Sequence, residues 1–296
     1  MKNRFGIFGV LLGALLISGL LLTSCKKDDD DNGNGNNNGD NDPSEVAASS
    51  LIAYFAFESE GEEVEFSDGD ITFDQAVGAA SFASGRRGNA YQGSSGEAYL
   101  EYDIAAGSAF ESLDEITLAC WIKTPFIPGE ASKIFSINGG DPFMGALALL
   151  QENQPAGDSV DMKFYLYDSA SPEWKGQDIR RQHPDFVSDM WFHLVALYNK
   201  TNSTMEFYAN GELVHTSIKY AGPEPGEGDQ PLLGTITLGP DMTKIYFGAW
   251  PQQVQGVPEN WMGYFRGMVD EFRVYNKALS AEEIMDLYEA EVSQIN

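Results

Sequence analysis

The chain has 296 residues and a formal net charge of −27, and its length allows one or two domains. A surface this acidic repels phosphate backbones, which argues against nucleic acid as a partner and leaves carboxylates for hard cations such as calcium. With only two cysteines, the fold must rest on its core rather than on disulfide staples.

Residues 1–24 read as a signal peptide: basic Lys2 and Arg4, then an apolar stretch from Phe5 to Leu22. Leu22-Thr23-Ser24-Cys25 resembles the lipobox of bacterial lipoproteins, which implies cleavage before Cys25 and lipidation of its sulfur and new N-terminus. Several acyl chains make a durable anchor where one holds only marginally. Loss of the leader leaves 45 acidic against 16 basic residues, a net charge of −29. Lys26-Lys27-Asp28-Asp29-Asp30-Asp31 and an Asn/Gly/Asp tract follow, with nothing apolar to bury. Residues 25–50 are therefore expected to form a tether, spanning roughly 25 Å for about 20 residues. The Cys-Lys-Lys-Asp-Asp order resembles the export signal of surface lipoproteins in glycan-harvesting Gram-negative bacteria. It implies an outer-membrane anchor with the domain facing outward.

From Leu51 onward, short apolar or alternating runs are separated by Gly, Pro, Asn and Asp clusters. Strands are predicted at Leu51–Phe57, Ala98–Tyr102, Ile116–Lys123, Lys133–Ile137, Ala146–Leu150 and Met162–Tyr167. More follow at Trp191–Tyr198, Met205–Ala209, Leu213–Ser217, Lys244–Trp250 and Met268–Tyr275. Asn210-Gly211 between two of these runs predicts a type I′ hairpin. One helix is expected, opened by the capping box Ser280-Ala281-Glu282-Glu283, with Ile284, Leu287 and Tyr288 on one face. Without βαβ alternation a parallel sheet is not expected. Cys120, inside an apolar strand, reads as a small buried hydrophobe.

The order of several blocks resembles the LamG-like, concanavalin A-like jelly rolls. Ala53-Tyr54-Phe55-Ala56-Phe57-Glu58 looks like an opening strand, and Gly88-Asn89-Ala90-Tyr91-Gln92-Gly93 like the next block. Ile116–Lys123, Trp191–Tyr198 and Met205–Val214 are similar to central strands of the family, and Phe265–Ser280 to its closing block. The resemblance implies an all-β sandwich of two antiparallel sheets over residues 51–296, with a short C-terminal helix. The inserts Pro125–Gly145, Ser169–Ser188 and Tyr220–Thr235 have no counterpart in the pattern.

Glucanases of this class carry alternating acids, Glu-x-Asp-x-(x)-Glu, on one strand. Glu63-Val64-Glu65 and Asp270-Glu271 fall short of that pattern, so an enzyme ranks third among the readings. His183, His193 and His215 lack zinc-ligand spacing. Related sandwiches pin the first strand to the last with a structural calcium ion, and Glu58 and Asp270 are the positions that fit; alternatively, Asp270 caps a turn or pairs with Arg266. Sugar recognition uses exposed aromatic faces beside amides and carboxylates. Trp121 and Trp191 sit in core blocks, whereas Trp174, Trp250 and Trp261 fall in or beside loop-like segments, with Gln252 and other amides near the last two. The leading expectation is a surface lipoprotein that binds a glycan through these residues. A protein-binding or structural module is the alternative.

Overall fold

The computed structural model describes residues 42–60, 70–152, 158–171, 175–222, 231–239 and 241–295. In chain order its strands begin with β1 (Leu51–Phe55), β2 (Ile71–Gly78), β3 (Ser81–Ser84), β4 (Asn89–Gln92) and β5 (Ala98–Ile104). They continue with β6 (Ile116–Lys123), β7 (Ala131–Asp141), β8 (Gly145–Gln151), β9 (Ser159–Tyr167), β10 (Gly176–Val187) and β11 (Phe192–Asn199). The last are β12 (Thr204–Ala209), β13 (Glu212–Ile218), β14 (Lys244–Phe247), β15 (Met262–Gly263) and β16 (Met268–Tyr275). A short helix α1 (Pro251–Val254) precedes β15, and α2 (Ala281–Ser293) closes the chain.

These strands form two sheets. The first runs β13-β12-β11-β6-β16-β4-β3, with β1 also paired to β16. The second runs β10-β9-β8-β7-β14-β5-β2, and the two-residue β15 adds a parallel pair to β7. All other pairings are antiparallel. Between the sheets lies one apolar core in which Phe135, Phe247 and Phe272 meet at centroid distances of 4.6–5.3 Å.

Strand β6 shows why its sequence is apolar throughout rather than alternating. Ile116, Leu118, Cys120 and Ile122 point into the core between the sheets, while Ala119 packs with Ile284 and Leu287 of α2 on the other face. A strand covered on both sides needs apolar or satisfied side chains at every position. Cys120 is buried, and burial pushes its thiol well above the usual range, so it is a packing residue and not a nucleophile. The Asn210-Gly211 turn has φ of 50° and 85°, the left-handed pair that a type I′ hairpin requires. The capping box also forms: Ser280 Oγ accepts from Glu283 N at 3.2 Å, and Ser280 N donates to Glu283 Oε2 at 2.8 Å.

Helix α2 drives its last turn onto the first sheet through a buried charge network. Glu291 pairs with Arg273 and accepts from Trp121 Nε1 at 2.7 Å. Arg273 also reaches Glu271 at 2.9 Å, and Glu271 in turn accepts from Tyr54 Oη at 2.8 Å and Arg87 Nη1 at 2.9 Å. Glu271 occupies a left-handed position, φ 51°, in a bulge of β16 against β6, a device that re-aims side chains. Beside this network His193 is 1% exposed; its ring nitrogens make no hydrogen bond, and Nε2 stands 3.5 Å from Glu291 Oε2. Burial, with Arg273 nearby, pulls its pKa down to about 3.

That depression sets a pH dependence. Unfolding frees His193 to bind a proton below its ordinary value of 6.5, so the stability it contributes is present above pH 6.5 and is lost as pH falls toward 3. The limiting slope is about 1.4 kcal/mol per pH unit for one proton. Relative to His193→Leu, the wild type should therefore lose about 2 kcal/mol between pH 6.5 and 5 in urea unfolding; parallel pH profiles would contradict this. Glu291 Oε2 lies 3.5 Å from His193 Nε2, so the two titrations are coupled, and the comparison is made in a Glu291→Gln background where the carboxylate does not titrate.

Candidate carbohydrate-binding cleft

The outer face of the second sheet is set by alternation. On β9, Met162, Phe164 and Leu166 enter the core, so Lys163, Tyr165 and Tyr167 face outward; on β8 the outward residues are Ala148 and Leu150. Strand β14 ends at Phe247, three residues before the predicted end, because Gly248 (φ 96°) turns the chain out of the sheet. Residues 249–264 then lie across the outer face. Ala249 O accepts from Ser136 Oγ at 3.1 Å, and β15 pairs with β7.

Trp250 is the floor of this layer. It is 1% exposed, and its Nε1 donates to Ala131 O at 3.1 Å. Lys133 Nζ lies 4.6 Å from its ring centroid and donates to Met144 O. Burial draws the Lys133 pKa down to about 7 against the pull of Asp141. The expectation that Trp250 presents an indole face is corrected here, because packing against Ala148, Leu150 and Tyr165 leaves no face open. Trp261 is different: it stands half-buried, edge-on to Trp250 at 5.2 Å and 89°, with Phe143 at 5.5 Å. Phe143 is held by its turn, since Asp141 Oδ1 accepts from Phe143 N at 2.7 Å and Met144 N at 2.6 Å.

Phe143, Met144, Leu150, Glu152, Lys163, Trp250 and Trp261 enclose a cleft of about 320 Å³. Lys163 Nζ sits 3.4 Å from Glu152 and 3.0 Å from Asp178. Two aromatic rings beside a paired ammonium and carboxylate can cover the apolar face of a sugar ring while reading its hydroxyls. A larger cavity, about 690 Å³, lies among Ile104, Leu238, Asp241 and Met242 and has no aromatic ring in its lining, so its chemistry suits a sugar less well.

The other expected site residues fall elsewhere. Gln252 is half-buried in α1, its Oε1 buried without a partner among the described residues, and it does not line the cleft. Trp174 and Cys25 lie outside the described residues. Glu58 and Asp270 grip one loop from two sides. Asp270 Oδ2 accepts from Arg86 N and Arg87 N at 2.7 and 2.8 Å, and its Oδ1 from Glu271 N at 2.9 Å. Glu58 Oε2 accepts from Asn89 N at 3.0 Å, and Glu58 O from Asn89 Nδ2 at 2.7 Å. A Cβ at Gly85 would stand 2.5 Å from Asp270 Oδ2, and one at Gly88 2.1 Å from Glu58 Oε1, so only glycines admit this grip. Asp270 caps this turn, and Arg266 pairs with Glu130 instead of with it. Two carboxylates beside backbone carbonyls suit a hard cation in kind. Asp270 nevertheless spends three of its roughly four acceptor sites on N–H groups, so any ion there would draw most of its oxygens from carbonyls and water. Among the described residues there is no group of three or more His, Cys, Asp or Glu side chains placed to hold a metal.

The two-sheet sandwich is matched by a family model. The model described as "Concanavalin A-like lectin/glucanases superfamily", of laminin G type, aligns with residues 94–285. The chain belongs to this superfamily. Solved structures share the fold at low identity. The botulinum neurotoxin serotype D ligand binding domain in complex with N-acetylneuraminic acid aligns with a TM-score of 0.56 and 17% identity, over 83% of this chain and 53% of that one. The binding domain of Paraclostridial Mosquitocidal Protein 1 gives 0.56 and 15%, over 81% and 52%. The binding domain of botulinum neurotoxin DC in complex with rat synaptotagmin II gives 0.53 and 14%, over 82% and 52%. The chain thus spans about half the length of these neighbours, and no curated protein matches it significantly.

A superfamily that includes glucanases directs attention to acids that sequence reasoning passed over. Glu101 and Asp103 alternate on β5, and since Leu100, Tyr102 and Ile104 enter the core, both point outward. The signal was legible as Glu101-Tyr102-Asp103, which runs one residue past the predicted strand Ala98–Tyr102 into the longer observed β5. Lys244 Nζ stands between them, 2.7 Å from Glu101, 2.8 Å from Asp103 and 2.6 Å from Asp74. Burial opposes the Lys244 charge, but hydrogen bonds to Asp103, Asp74 and Glu101 outweigh it and hold its pKa up. An ammonium in this position makes the group an ion cage rather than an acid–base pair across a bond. Glu63 and Glu65 lie outside the described residues.

Proposed function

We propose that this lectin-like sandwich binds carbohydrate in the cleft beneath Trp261, as the extracytoplasmic part of a lipoprotein anchored through Cys25 in the outer membrane. The observation that carries the reading is the pair Trp261 and Phe143 at the mouth of a cleft that also holds Glu152 and Lys163. Membership of a superfamily named for lectins lends support, as does the fold shared with a neurotoxin ligand binding domain solved with a sugar, though not the identity of that sugar. The lipid would hold the domain, the acidic tract would give it reach, and the cleft would capture the glycan. Trp261→Ala should weaken polysaccharide binding without unfolding the protein. Retained affinity in that variant would place the site elsewhere.

A protein-binding module is the second reading, favoured by the neighbour in complex with synaptotagmin II. Binding to a surface protein with no response to any polysaccharide would select it, and release of sugar during incubation would select an enzyme. The anchor is tested separately: Cys25→Ala should remove the protein from the membrane fraction, and unchanged membrane association would refute lipidation. A structural calcium ion at Glu58 and Asp270 belongs to the same proposal. Chelation should then lower the melting temperature, and a melting curve indifferent to EDTA and to added calcium would remove the ion from the account.

A further inference from the structure

We infer that the Trp261 cleft selects uncharged sugar residues and rejects uronic, sialic and sulfated ones; the inference rests on the carbohydrate-binding reading and specifies its ligand class. A site for an anionic sugar needs a cation with charge to spare, and the described residues that line this cleft supply none; Lys175, 6.0 Å over the Tyr167 ring, lies outside the lining. Lys163 is the ammonium at its surface, and two carboxylates already share it, Glu152 at 3.4 Å and Asp178 at 3.0 Å. The other lysine, Lys133, is fully buried beneath Trp250 and turned toward the Met144 carbonyl. Arg180, the neighbouring guanidinium on β10, is held by Asp161 at 2.5 Å. Locally, then, one ammonium faces two carboxylates, and the surrounding chain carries 45 acidic residues against 18 basic ones. An incoming carboxylate or sulfate meets repulsion both at long range and in contact, and like-charge juxtaposition is an effective way to refuse a ligand. A neutral pyranose meets neither. Its apolar face can lie on Trp261 and Phe143, and its hydroxyls can both donate to Glu152 and accept from Lys163, which a paired ammonium and carboxylate serve equally. The sialic acid of the neurotoxin neighbour does not oppose this, because a likeness at 17% identity carries the fold and not the lining of a cleft.

The test compares binding of the protein to neutral polysaccharides (mannan, β-glucan, galactan) with binding to polygalacturonate and polysialic acid at low ionic strength. Neutral polymers should bind at least about tenfold more tightly than the anionic ones, a gap of about 1.4 kcal/mol. Glu152→Gln combined with Asp178→Asn releases Lys163 from both carboxylates and should shrink that ratio several-fold, with an unchanged melting temperature certifying the fold. If anionic polymers bind as tightly as neutral ones, and Trp261→Ala abolishes that binding, the selectivity is overturned while carbohydrate binding stands. If the double variant leaves the ratio unchanged, the charge argument is overturned. If no polysaccharide of either kind binds, the carbohydrate reading itself falls.

Discussion

Arg273→Ala should lower the unfolding free energy by about 3–5 kcal/mol, the usual loss when one partner of a buried ion pair is removed. Arg273 is 2% exposed and holds Glu271 and Glu291, both 1% exposed. Without it two carboxylates remain in a dry layer, with Arg87, Tyr54, Trp121 and His193, 3.5 Å from Glu291, as their remaining partners. Glu291 also lies in the last turn of α2, where a negative charge opposes the helix dipole, so the helix end should release first. Urea unfolding followed by tryptophan fluorescence measures the loss. Replacing Arg273 and Glu291 together with methionine should cost less than the two single replacements summed, because Glu291 is then not left stranded by the loss of Arg273, and Glu271 keeps Arg87. A loss under about 1 kcal/mol for Arg273→Ala would place the network in the class of solvated surface pairs, against its burial.

The second large effect separates two neighbouring indoles. Trp250→Ala should destabilise the domain by about 3–5 kcal/mol, as large core truncations do. It removes packing on Ala148, Leu150 and Tyr165, the bond to Ala131 O and the ring over the Lys133 ammonium. Lys133 would then be buried beside a void. Trp261→Ala removes a half-buried ring from the rim, so its stability loss should stay near about 1 kcal/mol, while its main effect falls on ligand affinity. An indole–sugar contact of about 1 kcal/mol corresponds to a roughly fivefold weaker Kd. Equal losses of stability in the two variants would contradict the division of roles.

How much of this was legible in the sequence depended on where each strand lies. The central strands β6 and β11 announced themselves as mostly apolar runs because both of their faces are covered, and β16 did so through Met268, Val269, Phe272, Val274 and Tyr275 around its charged residues. Of the strands not predicted, β2, β3, β4 and β10 lie at or near sheet edges, and β15 is a two-residue pairing to β7. Strand β10 is polar along most of its length and contains Pro184 where its register with β9 breaks. Edge strands are kept polar and interrupted to discourage further pairing, and this erases the apolar alternation that marks a strand. The Ser169–Ser188 insert therefore contains a full strand, with Gly176–Val187 closing the second sheet.

The site was legible in part for a similar reason. A Trp/Pro/Gln-rich segment marked residues 250–261 as unusual, and that segment does cross the outer face of the second sheet. Sequence could not show that Trp250 faces inward and Trp261 outward, since their order along the chain carries no period. Nor could it reveal Phe143, Glu152 and Lys163, which reach the cleft from the β7–β8 turn and from β8–β9 through register alone. Glu271, Arg273 and Glu291 were hidden because charged residues read as solvated surface unless their partners across the fold are known.

Carbohydrate binding at the Trp261 cleft is tested most directly by titrating wild-type protein and Trp261→Ala with the same neutral polysaccharide in a calorimeter. The account predicts saturable binding by the wild type and an affinity at least about fivefold lower for Trp261→Ala, with melting temperatures that agree closely. Equal affinities in the two proteins, or no heat of binding with any polysaccharide tried, would contradict it.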